Sequence, residues 1–405
     1  MIKIALIQHF MGLAGQISAA LPMLLITIFI SRFIGIEDAG YFSVFVGTSA
    51  IIFSISLWGL RPYIVLDRFL EFRDFEYFNF RCITIFFSSI LMLIFADHSK
   101  LSLILIVNVI LFRSIDSFID INMGFDQINK SNTVAIRNFS LRHFIKTSTI
   151  LIIMASVIIF YEINGFVNED VFFLSLMLPG IIILSLNLFF QNMTGKRDKI
   201  KFKNINLFLI LRSASLFALA SICCAFITNI PRISITSFFE TNDIGVVGVT
   251  LSVTAFFGMF FNMTWIRALP SFSLAKNNRK VAKNFILENI FIALILIFLS
   301  YYIFPYLVSF VFDFSGERNL VISRNVMLCA TIFFLGQVFS NLFKVTSKPW
   351  LEIISYFIGG LTGFLSWIIF GGGDGYYLML INSGIFMALF SVFLFVRLNY
   401  GQQLK

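Results

Sequence analysis

Charge is what this chain has least of. Asp, Glu, Lys and Arg together make up 13% of its 405 residues, against about 25% in ordinary soluble domains. Histidine is nearly absent as well: His9, His98 and His143 lie far apart and assemble no His/Asp/Ser constellation. The four cysteines, Cys82, Cys223, Cys224 and Cys329, fall in or beside apolar runs without metal-ligand spacing, which excludes a zinc site and argues against a disulfide framework. No connector is long enough to house a separate soluble catalytic domain, so the chain is read as a non-enzyme with no cofactor and no metal. The Gly-Gly-Gly-Asp-Gly run at 371–375 lacks the Lys-Ser/Thr of a phosphate loop and reads as a tight turn.

What fills the chain instead is hydrocarbon. Hydrophobic residues make up 59%, mean hydropathy is +0.92, and a spanning helix needs about 20 predominantly apolar residues. Twelve such stretches are expected, at 8–34, 40–60, 82–96, 101–123, 145–162, 171–192, 207–238, 243–266, 285–312, 325–343, 351–370 and 376–397. The expected class is an all-α polytopic membrane protein. The first stretch is too long for a signal-peptide core and stays as a span.

Orientation follows from the positive residues. Placing both termini in the cytoplasm puts Lys3, the segments 61–81, 124–146, 193–206, 267–284 and 344–350, and the tail from Arg397 inside, with 23 of the 30 Lys and Arg. The formal charge of +9 is therefore spread over short span-flanking loops and does not point to nucleic acid. A shift of 205 positions lays Ile30, Phe33, Asp38, Gly40 and Val44 on Ile235, Phe238, Asp243, Gly245 and Val249. That repeat makes two six-helix halves, 1–200 and 201–405, around a central cavity, an arrangement used by transporters.

Ionisable residues inside spans are costly and by default functional. Arg113, Asp116 and Asp120 sit at i, i+3 and i+7 of the fourth span and share one face, extended by Ser117, Gly124 and Gln127. A self-neutralising Arg113/Asp116 pair would account for two of the three and leave the second carboxylate over. Span two carries Gly40, Ser43, Gly47, Ser54 and Arg61 at turn spacing, and Arg267 closes span eight in the matching place; simple interfacial anchoring explains either arginine equally well. Arg32 and Arg232 lie on the expected outer side, against the orientation rule, and Pro22 and Pro231 interrupt the first helix of each half. Gln337, Ser340, Asn341 and Lys344 share a face of span ten, which fits either a path lining or helix–helix hydrogen bonding. Gly12, Gly15 and Ala19 read as a packing face.

Two stretches carry a resemblance. Ile30-Ser-Arg-Phe-Ile-Gly-Ile-Glu-Asp-Ala-Gly-Tyr-Phe-Ser-Val44 is similar to the junction of the first two spans in O-antigen (Wzx-type) polysaccharide flippases. Arg113-Ser-Ile-Asp-Ser-Phe-Ile-Asp-Ile-Asn-Met-Gly-Phe-Asp-Gln127, followed by Ala135-Ile-Arg137 and Leu141-Arg142, resembles their fourth span and following loop. These flippases belong to the superfamily of multidrug, oligosaccharidyl-lipid and polysaccharide exporters. The resemblance implies translocation of an undecaprenyl-pyrophosphate-linked oligosaccharide from the inner to the outer leaflet of a bacterial cytoplasmic membrane. A polysaccharide polymerase and a chain-length regulator would be its partners. On that reading Arg61, Arg113 and Arg267 face pyrophosphate, Arg32 and Arg232 act on the release side, and Asp116 and Asp120 couple transport to a proton or cation. The rivals are a cation-coupled multidrug exporter of the same superfamily, whose cavity should present lone carboxylates, and an O-antigen polymerase, which needs a large periplasmic loop absent here.

Overall fold

A computed structural model describes residues 2–66, 74–96, 101–129, 132–164, 171–177, 180–182, 207–274, 278–345 and 350–401. Among these there is no strand; the chain is a succession of helices. They are α1 (Ile2–Phe33), α2 (Ile36–Leu57), α3 (Leu60–Leu66), α4 (Asp74–Ala96), α5 (Leu103–Asn129), α6 (Asn132–Asn164), α7 (Leu207–Ser213), α8 (Ser215–Ile233), α9 (Ile235–Phe238), α10 (Thr241–Leu274), α11 (Asn278–Tyr302), α12 (Phe304–Phe312), α13 (Glu317–Ser340), α14 (Trp350–Phe370) and α15 (Gly372–Gly401), with a 3₁₀ turn Asn341–Val345 after α13. Ten helical stretches are long and apolar enough to cross a membrane. The 27-residue α5 matches them in length but carries Arg113, Asp116 and Asp120. Large apolar side chains such as Phe310, Phe208, Ile369 and Phe357 point outward, as they must where the solvent is lipid. This is a multi-pass membrane protein.

Three segments expected as loops are largely helical. The expectation set span boundaries at 82, 123, 145, 266 and 285, whereas α4 begins at Asp74, α5 runs to Asn129, α6 begins at Asn132, α10 runs to Leu274 and α11 begins at Asn278. Neither 74–96 nor 132–164 contains a glycine or proline, so no helix-breaking residue ends α4 or α6 where hydropathy falls. Two expected single spans are instead broken. The run 285–312 divides at Ile303 (φ −121°, ψ −53°) because Pro305 sits in the first turn of α12 and cannot continue the preceding ladder. The run 207–238 divides at Ala214 and again at Ser234, three residues after Pro231. The expected span 171–192 lies mostly outside the described residues; 171–177 is helical.

The helices gather into two compact units. One comprises Met1–Pro22 with Ser49–Ser221, the other Met23–Thr48 with Ile222–Lys405. The division falls within α1 at Pro22 and within α2 after Thr48, so the end of α1 and the start of α2 pack with the C-terminal helices. There α2 crosses α10 at the very glycines that the 205-residue shift superposes. A Cβ on Gly40 would lie 2.9 Å from Gly245 Cα, and one on Gly248 would lie 2.7 Å from Gly40 Cα. Small-residue faces let backbones approach where lipid offers no hydrophobic drive for association, and Ser252 Oγ adds a hydrogen bond to Ser43 Oγ at 3.3 Å. In the N-terminal unit Gly15 does the same against Ser140, whose hydroxyl donates to the Met11 carbonyl at 2.5 Å.

Gly40→Leu and Gly245→Leu should each destabilise the protein by about 1–3 kcal/mol, the usual cost of overpacking. Gly373→Ala, whose new methyl would meet Phe239 at an ordinary 3.5 Å, should leave the thermal midpoint of the detergent-solubilised protein unchanged.

Candidate functional site

The N-terminal unit concentrates buried charge around α5. The helix α2 ends at Leu57, and the chain turns through Trp58 (φ 45°) and Gly59 (φ 58°), both left-handed. A side chain at Gly59 would run into the Phe217 backbone, so only glycine fits there. The turn carries Arg61 onto the separate short helix α3. Gly124 of α5 leaves room for its side chain, with Arg61 Cγ 3.4 Å from where a Cβ would stand. Arg61 Nη1 then meets Asp120 Oδ1 at 3.0 Å.

Arg81 completes this group. Its side chain is wholly buried, meets Asp120 Oδ2 at 3.4 Å, and donates to the Ser56 carbonyl. That carbonyl belongs to the last turn of α2, whose end groups have no intrahelical partner, and Thr84 Oγ1 also donates to it at 3.1 Å. Arg81 was expected in a cytoplasmic loop. It can be buried because Asp120 and a helix-end carbonyl replace its water.

A second group forms one turn away along α5. Asp116 is paired with Lys146 of α6, and His143 Nδ1 lies 3.7 Å from the same oxygen. Lys146 also donates to the Ala19 carbonyl of α1 at 3.4 Å, and its neighbour Thr147 donates to the Ser18 carbonyl at 2.5 Å. Pro22 has no N–H to offer the carbonyl four residues before it, which is that of Ser18. Thr147 therefore satisfies the carbonyl that Pro22 leaves without a ladder donor, and Lys146 beside it meets Asp116. Lys146 was expected at the cytoplasmic edge of its span; at 1% exposure it is among the most deeply buried cations here. Arg113 Nε donates to Ser49 Oγ at 3.2 Å, and Ser117 shares a 2.7 Å hydrogen bond with Ser56. Lower on α5, Asp126 accepts from Asn138 at 3.0 Å and faces Arg142 at 3.8 Å.

Thus Arg61, Arg113, Asp116 and Asp120 lie in the N-terminal unit, with Arg61 and Asp120 in direct contact. Arg32, Arg232 and Arg267 belong to the C-terminal unit. Arg32 caps α12, donating to the Val311 carbonyl at 2.8 Å and the Phe310 carbonyl at 2.7 Å, while Ser31 takes that of Phe312 at 3.0 Å. A cation suits the negative end of a helix. Arg232 donates to the Leu251 carbonyl at 3.0 Å and packs along Gly47. Arg267 is paired with Glu288 of α11. The polar face of α13 is used between helices: Gln337 donates to Thr228, Ser340 bonds Ser355 at 2.7 Å, and Lys344 meets the fully buried Glu352 at 3.0 Å.

Arg81 and His143 fell outside the expected spans, which began at 82 and 145, and Lys146 sat at the edge of the second of them and was counted with the cytoplasmic charges. The signal that would have found them is the helical propensity of 74–96 and 132–164, neither of which holds a glycine or proline. No cluster of three or more His, Cys, Asp or Glu suited to a metal occurs among the described residues.

No protein-family description matches the chain, nor does any curated protein. Solved structures do. An inward-facing multidrug-resistance MATE transporter of the MOP superfamily matches with a TM-score of 0.57 and 15% identity over 94% of this chain and 93% of that one. The fold is that of the MOP-superfamily transporters. A MOP transporter from Pyrococcus furiosus, described as having a binding pocket of reversed polarity that suggests a different function, matches with a TM-score of 0.60 and 12% identity over 98% and 95%. The eukaryotic MATE transporter AtDTX14 matches at 0.57 and 11% over 96% and 94%. At these identities the likeness establishes the fold alone.

The Asp116–Lys146 pair gives an asymmetric expectation. Asp116→Ala leaves a deeply buried ammonium unpaired and should cost about 3–5 kcal/mol of stability. Lys146→Met leaves a carboxylate that is 30% exposed and should cost less. Asp116→Ala with Lys146→Met should recover part of the loss, read as the thermal midpoint in detergent.

Proposed function

We propose that this protein is a flippase, moving an undecaprenyl-pyrophosphate-linked oligosaccharide, an O-antigen or related surface-polysaccharide repeat unit, from the inner to the outer leaflet of a bacterial cytoplasmic membrane by alternating access. The observation that carries the reading is the charge balance around α5: among the described residues Arg61, Arg81, Arg113, Arg142 and Lys146 gather about three carboxylates of that helix, Asp116, Asp120 and Asp126. All three carboxylates are already met by cations, so the site offers no lone negative charge to a cationic drug. An excess of cations in a low-dielectric bundle calls for an anionic ligand. Arginine suits a pyrophosphate because its fork donates two hydrogen bonds to phosphate oxygens.

In this reading Arg61 and Arg113 are the first pyrophosphate contacts. Arg267 is a further one, whereas Arg32 and Arg232 act at release. Asp116 and Asp120 hold the cations in place and would exchange partners as phosphate arrives, which is where coupling to a proton or cation would enter. Sugars and phosphates stay within the protein, since unpaired polar groups cost several kcal/mol in hydrocarbon, and the prenyl chain stays in the bilayer. Both termini are assigned to the cytoplasm on the distribution of Lys and Arg. A polymerase and a chain-length regulator would take up the delivered unit.

Deleting the gene should accumulate single lipid-linked repeat units on the cytoplasmic face and remove surface polymer. Wild type should restore the polymer, and Arg113→Ala at equal protein level should not. Single units on the periplasmic face would transfer the protein to the polymerases. Unchanged surface glycan would transfer it to the small-molecule exporters.

A further inference from the structure

The C-terminal unit contains a second feature that the charge-based site does not use. A cavity of about 160 Å³ lies among α8, α9, α13, α14 and α15. Its walls include Phe238, Phe333, Trp367 and Leu380, and apart from the Trp367 indole N–H the side-chain polar groups of its lining are the hydroxyls of Ser234 and Ser383. Ser234 Oγ is turned to the Pro231 carbonyl at 3.4 Å. A buried water needs two to four polar partners, and an apolar cavity of roughly 150 Å³ stays dry and takes a benzene-sized hydrocarbon. The chemistry of the walls therefore rejects water, sugar and phosphate alike.

The cavity has local causes. Gly359 and Gly363 bring α14 close against α15 at Met387 and Ser383. Gly360 faces Ile227 of α8 with no side chain of its own, and Pro231 and the Ser234 break bend the facing helix. Close approach at the glycines combined with a bend opposite leaves a void where the aromatic side chains begin.

The doorway identifies what enters. Phe364, 49% exposed, lines the cavity and also belongs to an outward stripe of α14 made of Phe357, Leu361, Phe364, Leu365 and Ile368. These positions recur at helical spacing and are all apolar, as expected of a face bathed in lipid chains. Trp367 stands beside Phe364 at the same mouth. Behind the doorway, Phe333, Met379 and Leu380 are almost wholly buried.

We propose that this cavity is a hydrocarbon-chain site, which receives a segment of about six carbons, one isoprene unit or a short run of methylenes, from a bilayer lipid passing Phe364 and Trp367. The inference does not depend on the cargo assigned above.

The test reconstitutes the full chain in phosphatidylglycerol/phosphatidylethanolamine vesicles with a trace of phosphatidylglycerol bearing a diazirine in its acyl chain. A parallel preparation carries a diazirine-labelled prenyl phosphate. After irradiation, adducts are mapped by mass spectrometry. Adducts on Leu380, Met379 or Phe333 are expected, because lipid outside the protein cannot touch these residues, and the probe that gives them identifies the chain. Ser234→Leu and, independently, Leu380→Phe fill the cavity and should abolish the inner adducts on the remaining residues while sparing those on Phe357 and Ile368. Adducts confined to the outward stripe in the wild type, with either probe, would overturn the proposal. So would inner adducts that persist in a folded filling variant.

Discussion

Every polar group in the hydrocarbon layer has to find its partner inside the protein, and this condition shapes the structure more than any other. Its sharpest expression is the contact among Asp116, Lys146 and the end of the first α1 segment. Pro22 breaks a helix ladder, Thr147 of α6 satisfies the carbonyl it leaves, and the neighbouring Lys146, which reaches the next carbonyl, is paired with a carboxylate that α5 supplies. The Arg61–Asp120–Arg81 group follows the same rule at the end of α2, where a helix-terminal carbonyl and a buried carboxylate together replace water around a fully buried guanidinium. Neither arrangement is decoration on an apolar bundle. The first joins three elements and the second four that lipid gives no reason to associate.

The C-terminal unit meets the condition with less charge. Close helix approach works there beside the Arg267–Glu288 and Lys344–Glu352 pairs: Gly40 on Gly245, Gly336 on Gly384, and Gly359 and Gly363 on α15. Hydroxyls and amides such as Ser340, Ser355, Ser391 and Gln337 bond from helix to helix, and Arg32 closes the exposed end of α12. The two units thus share a fold class while differing in what fills them: clustered buried charge around α5 and an apolar cavity beside Gly360 of α14.

The sequence by itself determined the solvent of this protein, the number and order of most of its spans, and the charged face of α5. Hydropathy is a local property, and the spacing of Arg113, Asp116 and Asp120 needs only the helical period to place them together. The matched glycines 40 and 245 were legible as a repeat for the same reason. What only the tertiary structure decided was where helices end and which charges pair. Lys146 and Arg81 look like loop residues as long as each is judged by its own cost of burial. They are interior residues because carboxylates distant in sequence remove that cost, and a partner 30 or 39 positions away has no local signature. The breaks at Ile303 and Ser234 follow prolines visible in the sequence, Pro305 and Pro231, but the cavity beside Gly360 arises from how one helix lies against another, which the residue pattern of a single helix does not contain.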